Sequence, residues 1–372
     1  MRNTKNDTGE LVPLLSDIES SKNVKENGAS FFGAVLNIST TMIGAGIMSI
    51  PATIKVLGII PGFIAILVVA YLVEVTVEFM LRYSQSGRAT TYAGLMGVSF
   101  GRVGSLAVQI CVVITNLGCL IIYLIIIGDV LCGNEYGGTL HLGILQQWFG
   151  IHSWNSRPYA LLFLVLFVML PVVLLRRIVH PIRAELNKPS DMNPAVRISL
   201  IICVTLYFAI GFIGYLLFCD SIMADILVNF DQNSDTQIGR SLNNIVRLSY
   251  AIHLVFVYPI MNFSLRANID ELLFPKRPNL ASDTKRFVSL TCVLLAVPYI
   301  IAIAIPNIWY FFQFMGSTTL VLLSFIFPGS IILRDADGIS TAKDKMMAVS
   351  VILVAVVTSF ITIYTNLQTS NR

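Results

Sequence analysis

The sequence predicts an all-α polytopic membrane protein with about nine transmembrane helices. Three observations predict it. The 372-residue chain is 55% hydrophobic and 12% charged, with a mean hydropathy of +0.77. Apolar runs of about 20 residues, the length that crosses a hydrocarbon core, recur along it. Positive charge alternates between the connections that join those runs. Soluble domains carry roughly a quarter charged residues, and a large soluble core does not absorb so deep a deficit. A net charge of +4 is too small to point to nucleic-acid binding.

Residues 1–30 are polar and mixed in charge, which predicts a disordered tail. No apolar run starts before Phe31, so no cleavable signal peptide is expected. The runs fall at 31–54, 59–81, 103–131, 158–175, 198–219, 247–265, 287–305, 308–333 and 346–366. Together 31–366 form one transmembrane domain, followed by a short tail at 367–372. With a cytoplasmic N-terminus, 20 of the 25 Lys and Arg residues fall in cytoplasmic segments, Arg266 among them. The opposite connections carry acids instead, including Asp220, Asp225, Asp231 and Asp235.

Within the tail, "ELVPLL" sets Glu10 four places before the pair Leu14 and Leu15. That spacing resembles a sorting signal read by a trafficking adaptor, and favours a vacuolar or endosomal membrane over the plasma membrane. A chance match in a floppy tail is the alternative.

The first run is built to break. In "IGAGIMSIP", Gly44 and Gly46 have low helix propensity, and Pro51 removes a donor and clashes with the preceding turn. A break in hydrocarbon is tolerated where protein, water or a ligand satisfies the freed backbone groups. Half-helix N-termini attract a carboxylate and freed carbonyls hold an ammonium or a cation, so a zwitterion suits such a break. The competing reading is close helix packing through small residues. Pro51 and the polar Asn37, Ser39, Thr40 and Thr41 at the same depth favour a site. Its candidate substrate-binding residues are Thr41, Gly44, Ala45, Gly46 and Ile47.

Ionisable groups inside runs are further candidates. Glu74 and Glu78 share a helix face, and Glu78 pairs with Arg82 four residues on. Glu74 lies deeper without a cation near it in sequence, which suits a proton carrier or a hydrogen-bond acceptor. His253 either relays protons or packs. Asp129 and Lys55 stand near run ends and are expected to reach the interface. Four cysteines lie inside runs as packing residues, while Cys132 and Cys219 fall at run ends where a disulfide is open. No metal-ligand spacing, phosphate loop, nucleophile elbow or cofactor motif occurs, so no enzyme, metal or cofactor is expected.

"FFGAVLNISTTMIGAGIMSIPATIKVLGIIPG" (31–62) resembles the first span of the amino acid/auxin permease family, nearest the sodium-coupled neutral and plant vacuolar amino acid transporters. "YLVEVTVEFMLRYS" (71–84), "HPIRAELNKPS" (180–190) and "VRLSYAIHLVFVYPI" (246–260) with "LRANIDELLFP" (265–275) match in order. The resemblance implies a leucine-transporter-like inverted-repeat bundle, with an amino acid held between broken first and sixth spans. It also implies secondary transport of neutral amino acids with a coupling ion, proton or sodium.

One departure matters. A stretch like "LPVVLLRR" (170–177) ends the family's fourth span, and one like "VHPIRAELNKPS" (179–190) ends its sixth. Here they are adjacent, so the fifth and sixth spans are expected to be missing through an internal deletion near 177–180, leaving the bundle incomplete. The alternative function is then a transport-inactive amino acid sensor or regulator of a full-length transporter. A second departure concerns sodium. Asn37 and Thr40 offer first-span ligands, but "AIHLVFVYPIMN" (251–262) has no Ser or Thr before Pro259, which favours proton coupling. The candidate ion-coupling residues are Asn37, Thr40, Glu74 and His253.

Overall fold

A computed structural model describes residues 31–86, 89, 91–136, 139–174, 191–230, 237–275, 280 and 283–370. The expectations for the tail at 1–30, the Glu10–Leu14–Leu15 signal and the junction near 177–180 lie outside the described residues. The leading run forms α1 (Phe31–Met42), a 3₁₀ turn (Ala45–Ser49) and α2 (Ile50–Leu57). Its halves are bent by 54°. There follow α3 (Ile59–Gln85), α4 (Tyr92–Cys132), a two-stranded antiparallel pair β1 (Asn134–Tyr136) and β2 (Thr139–His141), and α5 (Ile144–Phe149). Then come α6 (Arg157–Leu174), α7 (Met192–Phe218), the short α8 (Ile226–Asn229) and α9 (Gln237–Leu273). The chain closes with α10 (Thr284–Ala304), α11 (Ile308–Arg334) and α12 (Ala342–Ser370).

The chain is thus an all-α polytopic membrane protein. Among the described residues, eight helices are long and apolar enough to cross a membrane, and the bent leading pair makes nine. The expected runs map onto them within about six residues, except that α9 extends the 247–265 run to Gln237–Leu273 and that α4 starts at Tyr92 rather than 103. Gly101 explains the difference in α4. Its φ of +67° interrupts helical geometry, so a short pre-helix is joined to the apolar span across a kink.

The middle of α4 is the axis of the bundle. Leu120 to Val130 are buried throughout, and they pack against α9, α10 and α6. A helix apolar on every side belongs at such a centre. The outer helices instead expose apolar side chains, such as Val69 on α3 and Phe360 on α12, as lipid-facing helices do. Helix α7 runs along both halves of the broken span. Gly211 and Gly214 let it approach: a Cβ there would lie 2.5 Å from Ile54 Cδ1 and 2.9 Å from Pro51 Cγ.

The two ends of the bundle differ. At one end, Asp129 and Asn134, the segment 223–228 and residues 306–308 converge on one cavity. At the other, Arg82 reaches Glu78 and Asp344, and Tyr83 reaches Asp335. These are called below the Asp225 end and the Arg82 end.

Candidate functional site

The chain leaves helical geometry after Met42. Gly44 is extended (φ −102°, ψ −169°), and the next turn starts at Ala45. The carbonyls here keep only local turn bonds, from Gly44 N to Met42 O at 2.9 Å and from Ile47 N to Gly44 O at 3.2 Å, and two tyrosine hydroxyls add to them. Tyr207 of α7 donates to Met42 O at 2.7 Å, and Tyr250 of α9 donates to Gly44 O at 3.2 Å. Tyr123 of α4 completes the group, its hydroxyl 4.0 Å from where a Gly44 Cβ would stand. Sequence reasoning missed these tyrosines, because nothing in their local spacing marks them as facing a break.

The candidate residues split into two faces. Ala45 and Ile47 are buried in a turn packed against α4, α7 and α8, and Gly44 is half-buried with its carbonyl on Tyr250 of α9. Asn37, Thr40, Thr41 and Gly46 are exposed. No atom lies within 4 Å of a Cβ built on Gly46, so this glycine is not a packing contact. That role belongs to Gly211 and Gly214 on the facing helix. Thr40 donates to Leu36 O at 2.9 Å, and Thr41 donates to Asn37 O at 2.7 Å. Both hydroxyls are thus bonded back onto α1.

The ion-coupling candidates do not converge. Glu74 pairs with Arg197 of α7 at 2.6 Å, a cation that sequence separation hid. The pair lines a cleft of about 400 Å³ toward the Arg82 end, with Asn193 and Pro194. His253 stands one helical turn along α9 from Tyr250, its ring 5.9 Å from that of Tyr250. Asn37 and Thr40 lie on the exposed face of α1, apart from both.

Two readings of other charged residues need correction. Asp129 does not reach the interface: it is 3% exposed and bound by Arg157 Nη1 at 2.5 Å. The bundle carries both partners inward, where the cost of a buried charge demands one. Arg266 is no loop cation. It is buried within α9, donates to Thr291 Oγ1 at 2.7 Å and stacks over Phe287 at 4.0 Å. Cys132 and Cys219 are both free thiols. The Glu78–Arg82 pair forms as expected, at 2.9 Å, and Lys55 reaches Asp220 O at 2.6 Å.

Nine apolar crossings among the described residues, a leading span broken over glycines, and break carbonyls that accept from tyrosine hydroxyls of two other helices fit the bundle of a membrane transporter. Comparison with known proteins names the family. Residues 27–174 and 175–368 match the transmembrane amino acid transporter protein family, and the chain belongs to it. Amino acid transporter AVT6C of Arabidopsis thaliana is 46% identical over 411 residues, covering 92% of this chain and 94% of the relative. Amino acid transporter AVT6D of the same plant is 44% identical over 427 residues, covering 96% and 97%. More distant is solute carrier family 38 member 10 of Homo sapiens, 22% identical over 398 residues, 89% of this chain and 35% of that protein. These relatives are named transporters or carriers, not enzymes.

Proposed function

We propose that this chain binds a neutral amino acid at its broken leading span and carries it across a vacuolar or endosomal membrane with a proton, its N-terminus cytoplasmic. One observation carries the reading. At the break, Gly44 O accepts from the Tyr250 phenol and from Ile47 N, each at 3.2 Å, and Gly46 has open space beside it. An ammonium group replaces the Tyr250 hydroxyl at that carbonyl. The carboxylate takes the amides that open the Ala45–Leu57 half, where the helix dipole favours negative charge. Thr41, Gly44, Ala45, Gly46 and Ile47 then line the ligand. Proton coupling is preferred to sodium because α9 offers no hydroxyl just before Pro259.

The test is uptake of a labelled neutral amino acid into proteoliposomes holding only this polypeptide, with and without a pH gradient. Gradient-driven uptake is expected, and a folded protein without it removes the reading. In the same preparation, Gly46→Leu is expected to insert and fold normally, since no neighbour occupies the space beside it. It is also expected to lose ligand binding at least ~10-fold, about 1.4 kcal/mol. Unchanged binding would place the ligand elsewhere.

A second reading keeps the site but not the transport: a shortened relative that senses an amino acid or regulates a full-length transporter. Two observations favour it. About 69 of the 411 positions aligned with AVT6C have no counterpart here, because 92% of 372 residues is about 342. Two spans of about 20 residues with their connections fill such a gap, and the family match changes segment at 174/175, beside the expected deletion. The exposed polar face of Asn37, Thr40, Thr41 and Gly46 also suits a site that other helices complete. Amino acid binding without gradient-driven uptake is the outcome this reading expects.

A further inference from the structure

At the Asp225 end, residues 222–229 between α7 and α9 are folded into the bundle rather than over it. Ile222 and Ile226 to Asn229 are buried, and α8 packs on both α4 and the 3₁₀ turn of the broken span. Asn229 locks the segment internally, accepting from Met223 N at 2.9 Å and donating to Ser221 O at 2.7 Å. Ile226 lies over Gly214 of α7. These residues form a plug beside the break.

Asp225 opens α8 and is 3% exposed. Its Oδ1 accepts from Leu227 N at 2.9 Å, as an N-cap does. Its Oδ2 is buried with no hydrogen-bond partner among the described residues. The side chain lines a cavity of about 140 Å³ with Asp129, Asn134 and Asn307. The charged and titratable groups facing it come from three helices. Asp129 of α4 is already committed to Arg157 of α6, while Arg247 and Tyr250 of α9 lie within electrostatic reach. Tyr250 is also a side-chain donor to Gly44 O, which links this carboxyl to the break through one side chain.

We propose that Asp225 is a proton-binding site whose charge state sets whether the α8 plug stays packed on the broken span. The proposal rests on the proton-coupled reading above and names the group that responds to the proton. A neutral carboxyl tolerates this pocket, whereas a carboxylate leaves a charged oxygen buried and unpaired. Ionisation therefore favours a state in which the plug lifts and water reaches Oδ2.

Burial pushes the Asp225 carboxyl up to about 7 and Asp129 adds to the rise; Leu227 N and Arg247 oppose it. The unfolded value is about 3.9. The packed state therefore binds the extra proton, and this stabilisation is complete below about pH 4 and lost as the pH rises through about 7.

The experiment compares the full wild-type chain in nanodiscs with Asp225→Asn. Asparagine keeps the N-cap acceptor but holds no titratable proton. Peptides covering 222–229 are followed by hydrogen–deuterium exchange, comparing the two proteins at the same pH. At about pH 4, where the stabilisation is nearly complete, they should exchange nearly alike. At about pH 8, on the far side of the transition, wild type should exchange at least ~10-fold faster, a 1.4 kcal/mol difference in opening. The protonated-carboxyl infrared band that wild type loses on this titration should be absent from the variant. Equal exchange at both pH values, or an unchanged infrared titration, overturns the proposal. So does protection of the wild-type plug at about pH 8 by sodium or potassium, which would make this a metal-cation site. Asp225→Ser, which also caps, replaces the asparagine variant if that fails to fold. No step requires uptake, so a chain that does not transport removes the transport reading while this titration still decides the role of Asp225.

Discussion

The two ends of the bundle use the same chemical groups in opposite ways. At the Arg82 end, ion pairs stand at or near water: Arg82 holds Glu78 and Asp344 with side chains 34%, 47% and 17% exposed. Asp335 turns the chain in the left-handed region (φ +48°) and collects Tyr83, Ile339 N, Ser340 N and Lys345. The Tyr83 hydroxyl holds its carboxyl well below the usual range. Asp344 likewise has several donors, Arg82 and the Thr341 amide and hydroxyl. At the Asp225 end the acids are buried, Asp129 has an arginine, and Asp225 keeps one oxygen unpartnered. The first arrangement fastens helices to each other, and the second stores an unmet demand for a proton beside the broken span.

The sharpest way to break that contrast is Arg157→Ala. It leaves Asp129 buried without its cation, and a loss of ~3–5 kcal/mol in unfolding stability is expected. Adding Asp129→Asn should recover most of it, since the cost belongs to the orphaned charge. Thermal unfolding in one detergent reads both, and a loss under ~1 kcal/mol would mean that water already reaches Asp129. Tyr250→Phe comes next. Removing this side-chain donor to Gly44 O should cost ~1–2 kcal/mol and loosen the break without disturbing either end. Faster exchange confined to residues near 43–50 is the expected sign, and unaltered exchange there would show that the phenol does not hold the carbonyl. The smallest effect belongs to the Arg82 end. Glu78→Gln should change stability by less than ~1 kcal/mol, and the change should shrink as salt is added. A larger, salt-insensitive loss would erase the distinction between the ends.

The spans and the break were legible because each is written locally. Runs of about 20 apolar residues have one stable solution in lipid. "IGAGIMSIP" combines poor helix formers with a proline, and the helix does end at Met42. The Glu78–Arg82 pair was equally legible, being one helical turn apart. What stayed hidden was distant in the chain. Tyr207 lies 165 residues from Met42 and Tyr250 lies 206 from Gly44, so no window of sequence shows either at the break. Asp225 read as one acid among several in a connection, because hydropathy alone sends a polar segment to water.

By itself, then, the sequence determined how many times the chain crosses, where its first crossing fails and which family it resembles, since hydrophobic length and backbone propensity act over one or two turns. Which donors meet the exposed carbonyls, which glycines are packed and which open, and which carboxyl is buried with an oxygen to spare were decided only when helices far apart in the chain came into contact. Burial and pairing are properties of neighbours in space, and the bundle supplies those neighbours.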